Sequence, residues 1–154
     1  MITGDFLGMS LTTDNVRPSA APNAWQIGNL TIAGVIMGIG ELLFCTAILV
    51  FGVYRMGFTG GALQTLGFVV IVFGNQATTY TNRERRHLWS SRPSMWLLIA
   101  SVADLLIAST LAVGGFAMTP LPAWVIDGTL VAAAAFALIL DFVKVSVFRR
   151  LRIT

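Results

Sequence analysis

Four carboxylates sit where carboxylates are costly. Asp5 interrupts the apolar run that continues as Phe6-Leu7-Gly8-Met9, Glu41 stands inside a long apolar stretch, and Asp104 and Asp141 stand inside two more. An ionised carboxylate in apolar surroundings costs several kcal/mol unless it is paired or hydrated. Each of these groups is therefore either a partnered structural element or a group that handles protons or cations. Asp5 is the leading candidate for ion transport; the structural alternative is a carboxylate that caps a broken helix. Glu41 follows Gly34 and Gly38 by seven and three positions, so the three share one helix face. Gly34-Val35-Ile36-Met37-Gly38 is also a GxxxG pattern, which predicts close approach of a neighbouring backbone. Glu41 then points into a bundle, as a cation or proton ligand or as a hydrogen-bonding group that ties its helix to the next.

Further polar residues recur at helical spacing. Asn75, Thr78, Thr79 and Asn82 form a stripe on one face with Gln76 beside it, suited to gluing helices together or to lining a hydrated path. Asp104 shares a face with the small residues Ala100, Ser101 and Ala108. Asp141 and Lys144 are three apart and can pair along a helix. Lys144 also lies near a helix end, where its ammonium can snorkel to the interface. Asp104, Asp141 and Lys144 thus read as structural charges. Asp14, in Thr13-Asp14-Asn15 at the end of the first apolar run, reads as structural too: an acid is disfavoured at a helix C-terminus, and an Asx turn is its natural role. His87 stands alone in a basic loop, and the single Cys45 lies in an apolar run. No grouping has metal-ligand spacing or forms a catalytic constellation, and no Gly-rich phosphate cradle is present.

The elements that must position these residues are membrane helices. The chain is 56% apolar and 11% charged, against about 25% charged residues in a soluble chain, and its mean hydropathy is +0.80. Residues 1–12 are too short to span, because a span needs about 20 apolar residues, and read as a partial transmembrane helix, either a re-entrant half or the remainder of a severed one. Residues 13–29 are a polar loop punctuated by Pro18 and Pro22, with Trp25 as an interfacial anchor. Residues 30–148 read as four spans, at about 30–54, 63–81, 95–116 and 125–148. Residues 149–154 form a short basic tail. The fold class is all-α: a half helix followed by an antiparallel bundle of four transmembrane helices, joined by the Gly-rich turn at 57–61, the basic segment at 82–94 and the Pro120/Pro122 turn. Ala132 to Ala135 read as a close-packing helix face.

Net charge +3 does not point to nucleic acid, because the basic residues sit at the ends of apolar runs. Arg17, Arg83, Arg85, Arg86, Arg92, Lys144, Arg149, Arg150 and Arg152 fall on one side of such a bundle, and Arg55 alone falls on the other. Nine against one puts the loop after Asp14 and the C-terminus in the cytoplasm. The segment from Arg83 to Arg92 suits anchoring against anionic headgroups. The lipid bilayer is the first partner the sequence implies, and the N-terminus has no basic region of a signal peptide.

Two segments carry a family resemblance. Asp5, nine residues later Asp14-Asn15-Val16-Arg17-Pro18-Ser19, resembles the second half of the sixth transmembrane helix of P-type ATPases and the loop after it. The closest branch is the plasma-membrane proton pumps, which read N-D, nine residues, D-x-V-x-P-S; here Gly4 stands in place of the Asn. Asn75 to Ser94, with Arg83-Glu84-Arg85-Arg86-His87 and Trp89-Ser90-Ser91-Arg92-Pro93-Ser94, resembles bacterial and archaeal members of that branch. The resemblance implies that Asp5 matches the proton acceptor and donor of transport, that Asn75 and Gln76 stand on a helix that related pumps use in coordination, and that the four spans match helices seven to ten; Glu41 joins these as an ion-transport candidate on its own spacing. It implies a multi-pass protein of the plasma (inner) membrane, partnered by helices one to six and the cytoplasmic domains of a pump. The family's D-K-T-G-T and T-G-E-S motifs are not in this sequence, so ATP and Mg would bind the remainder, and the chain holds no cofactor and hydrolyses no ATP by itself. Two readings of another class compete: a small autonomous four-helix exporter that exchanges protons on Glu41, and a structural membrane subunit.

Overall fold

A computed structural model describes residues 5, 9, 27–83 and 92–150 of the 154-residue chain. Among them the chain is all-helical, in four long helices: α1 (Ile27–Met56), α2 (Gly61–Arg83), α3 (Met95–Gly114) and α4 (Ala123–Arg150). Three of these carry segments long and apolar enough to cross a membrane, Thr31–Met56, Met95–Gly114 and Ala123–Val147, and the chain is a helical membrane protein. Large apolar side chains on α1, α3 and α4, among them Leu42, Leu43, Trp96, Leu106, Val131 and Ile139, point outward. That is stable where the surroundings are lipid, and a liability in water.

The remaining helix, α2, is the most polar and the most enclosed. Its 23 residues rise about 34 Å, enough to match its neighbours in length. Most of its side chains face the other helices, with Phe68 and Ile71 turned outward, so it does not need a fully apolar surface. Leu66, Val69, Val70 and Phe73 of α2 form the centre of the core with Ala108 and Ala112 of α3, Leu121 of the turn after α3, and Val125, Ile126 and Ala133 of α4. Phe44, Cys45, Ile48 and Leu49 of α1 pack on the same cluster. Phe44 also stacks on Phe136 of α4, ring centroids 4.5 Å apart and planes 11° from parallel, a geometry worth about 0.5–1.5 kcal/mol beyond area burial.

Backbone chemistry sets the ends. α1 stops where Gly57 adopts φ 68°, a left-handed conformation that carries no steric penalty in glycine, and the Phe58 N–H returns to the Gly52 carbonyl at 3.0 Å. Ser94 caps α3: its hydroxyl accepts from the Leu97 N–H at 3.2 Å, and Pro93 before it cannot extend a helix backwards. Gly115 ends α3 at φ 67°, its N–H returning to the Leu111 carbonyl. Consecutive helices run antiparallel, as the pairing of Gln76 with Asp104 and of Tyr80 with Ser101 shows for α2 and α3, which makes α2 and α4 a parallel pair. Arg83 and Arg92 lie at one end of the bundle and Arg55 at the other.

Two packing expectations change. The GxxxG face of α1 does not hold a neighbouring backbone: a Cβ at Gly34 or Gly38 would meet nothing within 4 Å. Close approach occurs at two other glycines of α1, Gly40, where a Cβ would stand 3.0 Å from Leu140 Cδ1, and Gly52, where it would stand 2.5 Å from Leu66 Cδ2. The contacts come from two different helices, Leu140 of α4 at Gly40 and Leu66 of α2 at Gly52, and neither reaches the 34–38 face. Of Ala132 to Ala135, only Ala133 is buried; the others lie at the margin of the contact or outside it.

Candidate functional site

The open glycine face of α1 borders a polar groove. A cavity of about 430 Å³ lies between α1 and α2, lined by Gly34, Met37, Gly38 and Glu41 on one side and Asn75, Thr78, Thr79, Asn82 and Arg83 on the other. The carboxylate on α1 and the polar stripe on α2, separated by more than thirty positions in the chain, are thus one site. Glu41 is half-buried, Asn75 and Asn82 are exposed, and Thr78 is buried. Thr78 spends its hydroxyl hydrogen on α2's own backbone, with the Gly74 carbonyl at 3.0 Å and the Asn75 carbonyl at 3.1 Å. Gly74 packs against the Glu41 turn of α1: a Cβ there would make ordinary contact, 3.7 Å from Glu41 Oε1 and 3.7 Å from Cys45 Sγ.

A second polar constellation joins α2 to α3 and excludes bulk solvent. The Gln76 amide donates to Asp104 Oδ2 at 2.8 Å. Its carbonyl oxygen accepts from the Ser101 hydroxyl at 3.1 Å, and the Tyr80 hydroxyl donates to Ser101 Oγ at 2.8 Å. Gln76, Ser101 and Asp104 are all buried. Gln76 thus turns away from the groove that Asn75 lines, so the two neighbouring amides serve different interfaces.

A third constellation joins α2 to α4. Lys144 Nζ lies 2.9 Å from Asp141 Oδ1 and both side chains are 0% exposed. The ammonium also donates to the Thr81 carbonyl at 2.7 Å. It points inward and does not snorkel, because the last-turn carbonyl of α2 supplies an acceptor that the interface would otherwise provide. Asp104 and Lys144 are therefore bonded to a neighbouring helix, and Asp141 is paired with Lys144 along its own.

Asp5 is helical and exposed. Asp14 and His87 lie outside the described residues, as does the basic segment between Arg83 and Arg92. Cys45 is a half-buried free thiol. Among the described residues no three His, Cys, Asp or Glu side chains are grouped to hold a metal ion. Tyr80 is a partner that the sequence did not single out, and Ser101, expected only as a small residue on the Asp104 face, is a hydrogen-bonding member of the network. Their signal was available: Tyr80 is four residues from Gln76 and Ser101 three from Asp104, the spacing of one helix face. No protein-family model matches the chain.

Proposed function

We propose that this chain is the C-terminal membrane region of a P-type cation-transporting ATPase of the proton-pump branch. In that role it contributes part of the ion path and the helices that support it. The observation that carries this reading is how the bundle treats its charges. Asp104, Asp141 and Lys144 are locked in buried hydrogen bonds, while Glu41 alone among the described mid-helix carboxylates lines a polar groove. A supporting bundle neutralises its own charges in this way and leaves transport chemistry to groups on its margin. The likeness of Asp5 to Ser19 and of Asn75 to Ser94 to the family supplies the rest of the support. In this reading ATP and magnesium bind the remainder of the pump. The protein lies in the plasma membrane, and the basic end of the bundle, with the C-terminus, faces the cytoplasm.

The groove itself favours a second reading, an autonomous exporter that exchanges protons on Glu41. Two measurements separate them. A reading frame encoding D-K-T-G-T immediately upstream is the expected finding for a pump, and its absence favours the autonomous protein. Asp5→Asn and Glu41→Gln are then compared in vesicles. Loss of ATP-driven cation transport with Asp5→Asn is the expected outcome for the complete pump. Loss of gradient-driven transport with Glu41→Gln alone, by this chain alone, overturns the pump reading in favour of the exporter. Retention of transport by both variants leaves a scaffold.

A further inference from the structure

The groove between α1 and α2 has a direction, a depth and a terminus. Glu41 lies near the midpoint of the 30-residue α1, hence near the middle of a bilayer that the helix crosses. Arg83 is the last residue of α2, at the basic end of the bundle. Between them Asn82, Thr79, Thr78 and Asn75 stand at successive turns of α2 and all line the same cavity. From Asn82 to Asn75 the ladder covers about 10 Å at 1.5 Å per residue. The cavity of about 430 Å³ is far larger than the roughly 10–15 Å³ that one water requires. Apart from Met37 its wall is either polar side chain or glycine. Lipid tails cannot satisfy carboxylate, amide and hydroxyl groups, and leaving those groups dry costs several kcal/mol each. Water can satisfy all of them.

We infer that this groove is a one-sided, water-filled access path that leads small cations, protons included, from the basic end of the bundle to the carboxylate of Glu41. The path opens beside Arg83, which is buried and has an interaction of its own, and stops at Glu41, the lining carboxylate. Positive charge near the mouth and negative charge at the base make the preference for cations strongest at the bottom. The path serves a pump segment and an autonomous exporter equally, so it does not rest on the pump reading.

Thiol accessibility tests it in the full chain in lipid vesicles. The background is Cys45→Ala, which removes the only cysteine in the sequence. Single reporters are then placed at the mouth (Asn82→Cys), along the path (Thr79→Cys), at the base (Asn75→Cys) and on the outward face of α2 at similar depth (Ile71→Cys). Asn75, Asn82 and Ile71 are exposed and Thr79 is partly exposed, so these changes spare the core, and Thr79→Cys duplicates the reading if Asn75→Cys is poorly produced. Membrane-impermeant methanethiosulfonates, one cationic and one anionic, are added from each side in turn. The expected result is labelling of the three groove positions from the basic side only, at least about tenfold faster than Ile71→Cys. The cationic reagent alone should gain about fivefold at Asn75→Cys relative to Asn82→Cys, and the anionic reagent should lose about as much, the order expected for one charge acting at a few ångströms in a well-hydrated site. Glu41→Gln should abolish that difference. Labelling of Asn75→Cys and Thr79→Cys no faster than Ile71→Cys overturns the path. Fast labelling with a cation preference that Glu41→Gln leaves unchanged between pH 6 and 9 overturns its termination at Glu41. Neither readout needs ATP or transport, so either failure is distinct from failure of the proposed function.

Discussion

The Lys144 ammonium on α4 donates to the main-chain carbonyl of Thr81 on α2 at 2.7 Å. One side chain thereby closes the end of one helix, pairs with Asp141 on its own helix and ties together the parallel pair that forms most of the core. The Thr81 hydroxyl reinforces the junction: it donates to the Ala77 carbonyl at 2.8 Å and reaches the Ala137 carbonyl of α4 at 3.5 Å. Removing one charge of a fully buried pair leaves the other uncompensated, at a typical cost of about 3–5 kcal/mol, whereas replacing both with apolar groups of similar volume is often neutral. Lys144→Met is therefore expected to lower stability by that order. Asp141→Leu combined with Lys144→Met should recover most of the loss, short of the bond to the Thr81 carbonyl. Thermal unfolding of the purified protein in detergent checks both, and a single variant as stable as the parent would show that the pair contributes nothing.

The bond network centred on Gln76 makes a prediction about chemistry as distinct from size. Gln76→Leu fills a similar volume but removes the donor to Asp104 and the acceptor for Ser101. Leaving buried polar groups unmatched costs about 1–3 kcal/mol. Tyr80→Phe removes only the outermost hydroxyl, which is partly buried, and should cost about 1 kcal/mol or less. The order Gln76→Leu more damaging than Tyr80→Phe, read from detergent unfolding midpoints, is the expected outcome. Equal effects would mean that the network acts as packing and not as hydrogen bonding.

How much of this was legible in the sequence depends on whether a feature lives in one helix or between two. Apolar runs around Leu43, Leu105 and Ala133 announce helices of spanning length, and Gly57, Pro93 and Gly115 mark where backbone chemistry interrupts them, so the all-helical fold followed from local signals. The face shared by Glu41, Gly34 and Gly38 was equally readable, since spacing alone places residues on a face. What lies opposite that face was not readable. GxxxG permits a close contact but does not compel one, and here the contact moved along α1 to Gly40 and Gly52. Gln76 and Asn75 are neighbours in sequence, yet the helix rotation of about 100° between them sends one to α3 and the other to the groove. Lys144 was placed at an interface because lysine usually reaches for one; the Thr81 carbonyl that captures it belongs to a residue 63 positions earlier. Asp14 and the segment around His87 fall outside the described residues, and the role of Asp5 belongs to the proposal.

The glycines of α1 yield a paired prediction that separates space for function from space for packing. At Gly38 a Cβ meets nothing within 4 Å, so Gly38→Ala removes only the entropic weakness of glycine inside a helix and should stabilise the chain by about 0.5–1 kcal/mol. At Gly52 a Cβ would stand 2.5 Å from Leu66 Cδ2. Leu66 is itself fully buried in the core and has little room to yield, so Gly52→Ala should destabilise by about 1–3 kcal/mol through overpacking. Bulk at the first position has a functional side as well. Gly38→Leu projects a branched apolar side chain into the groove beside Glu41 and should slow thiol labelling at Asn75→Cys severalfold while leaving the unfolding midpoint near that of Gly38→Ala. If Gly38→Ala proves as disruptive as Gly52→Ala, then a helix or another chain occupies the groove in the membrane, and the 34–38 face is a packing surface after all.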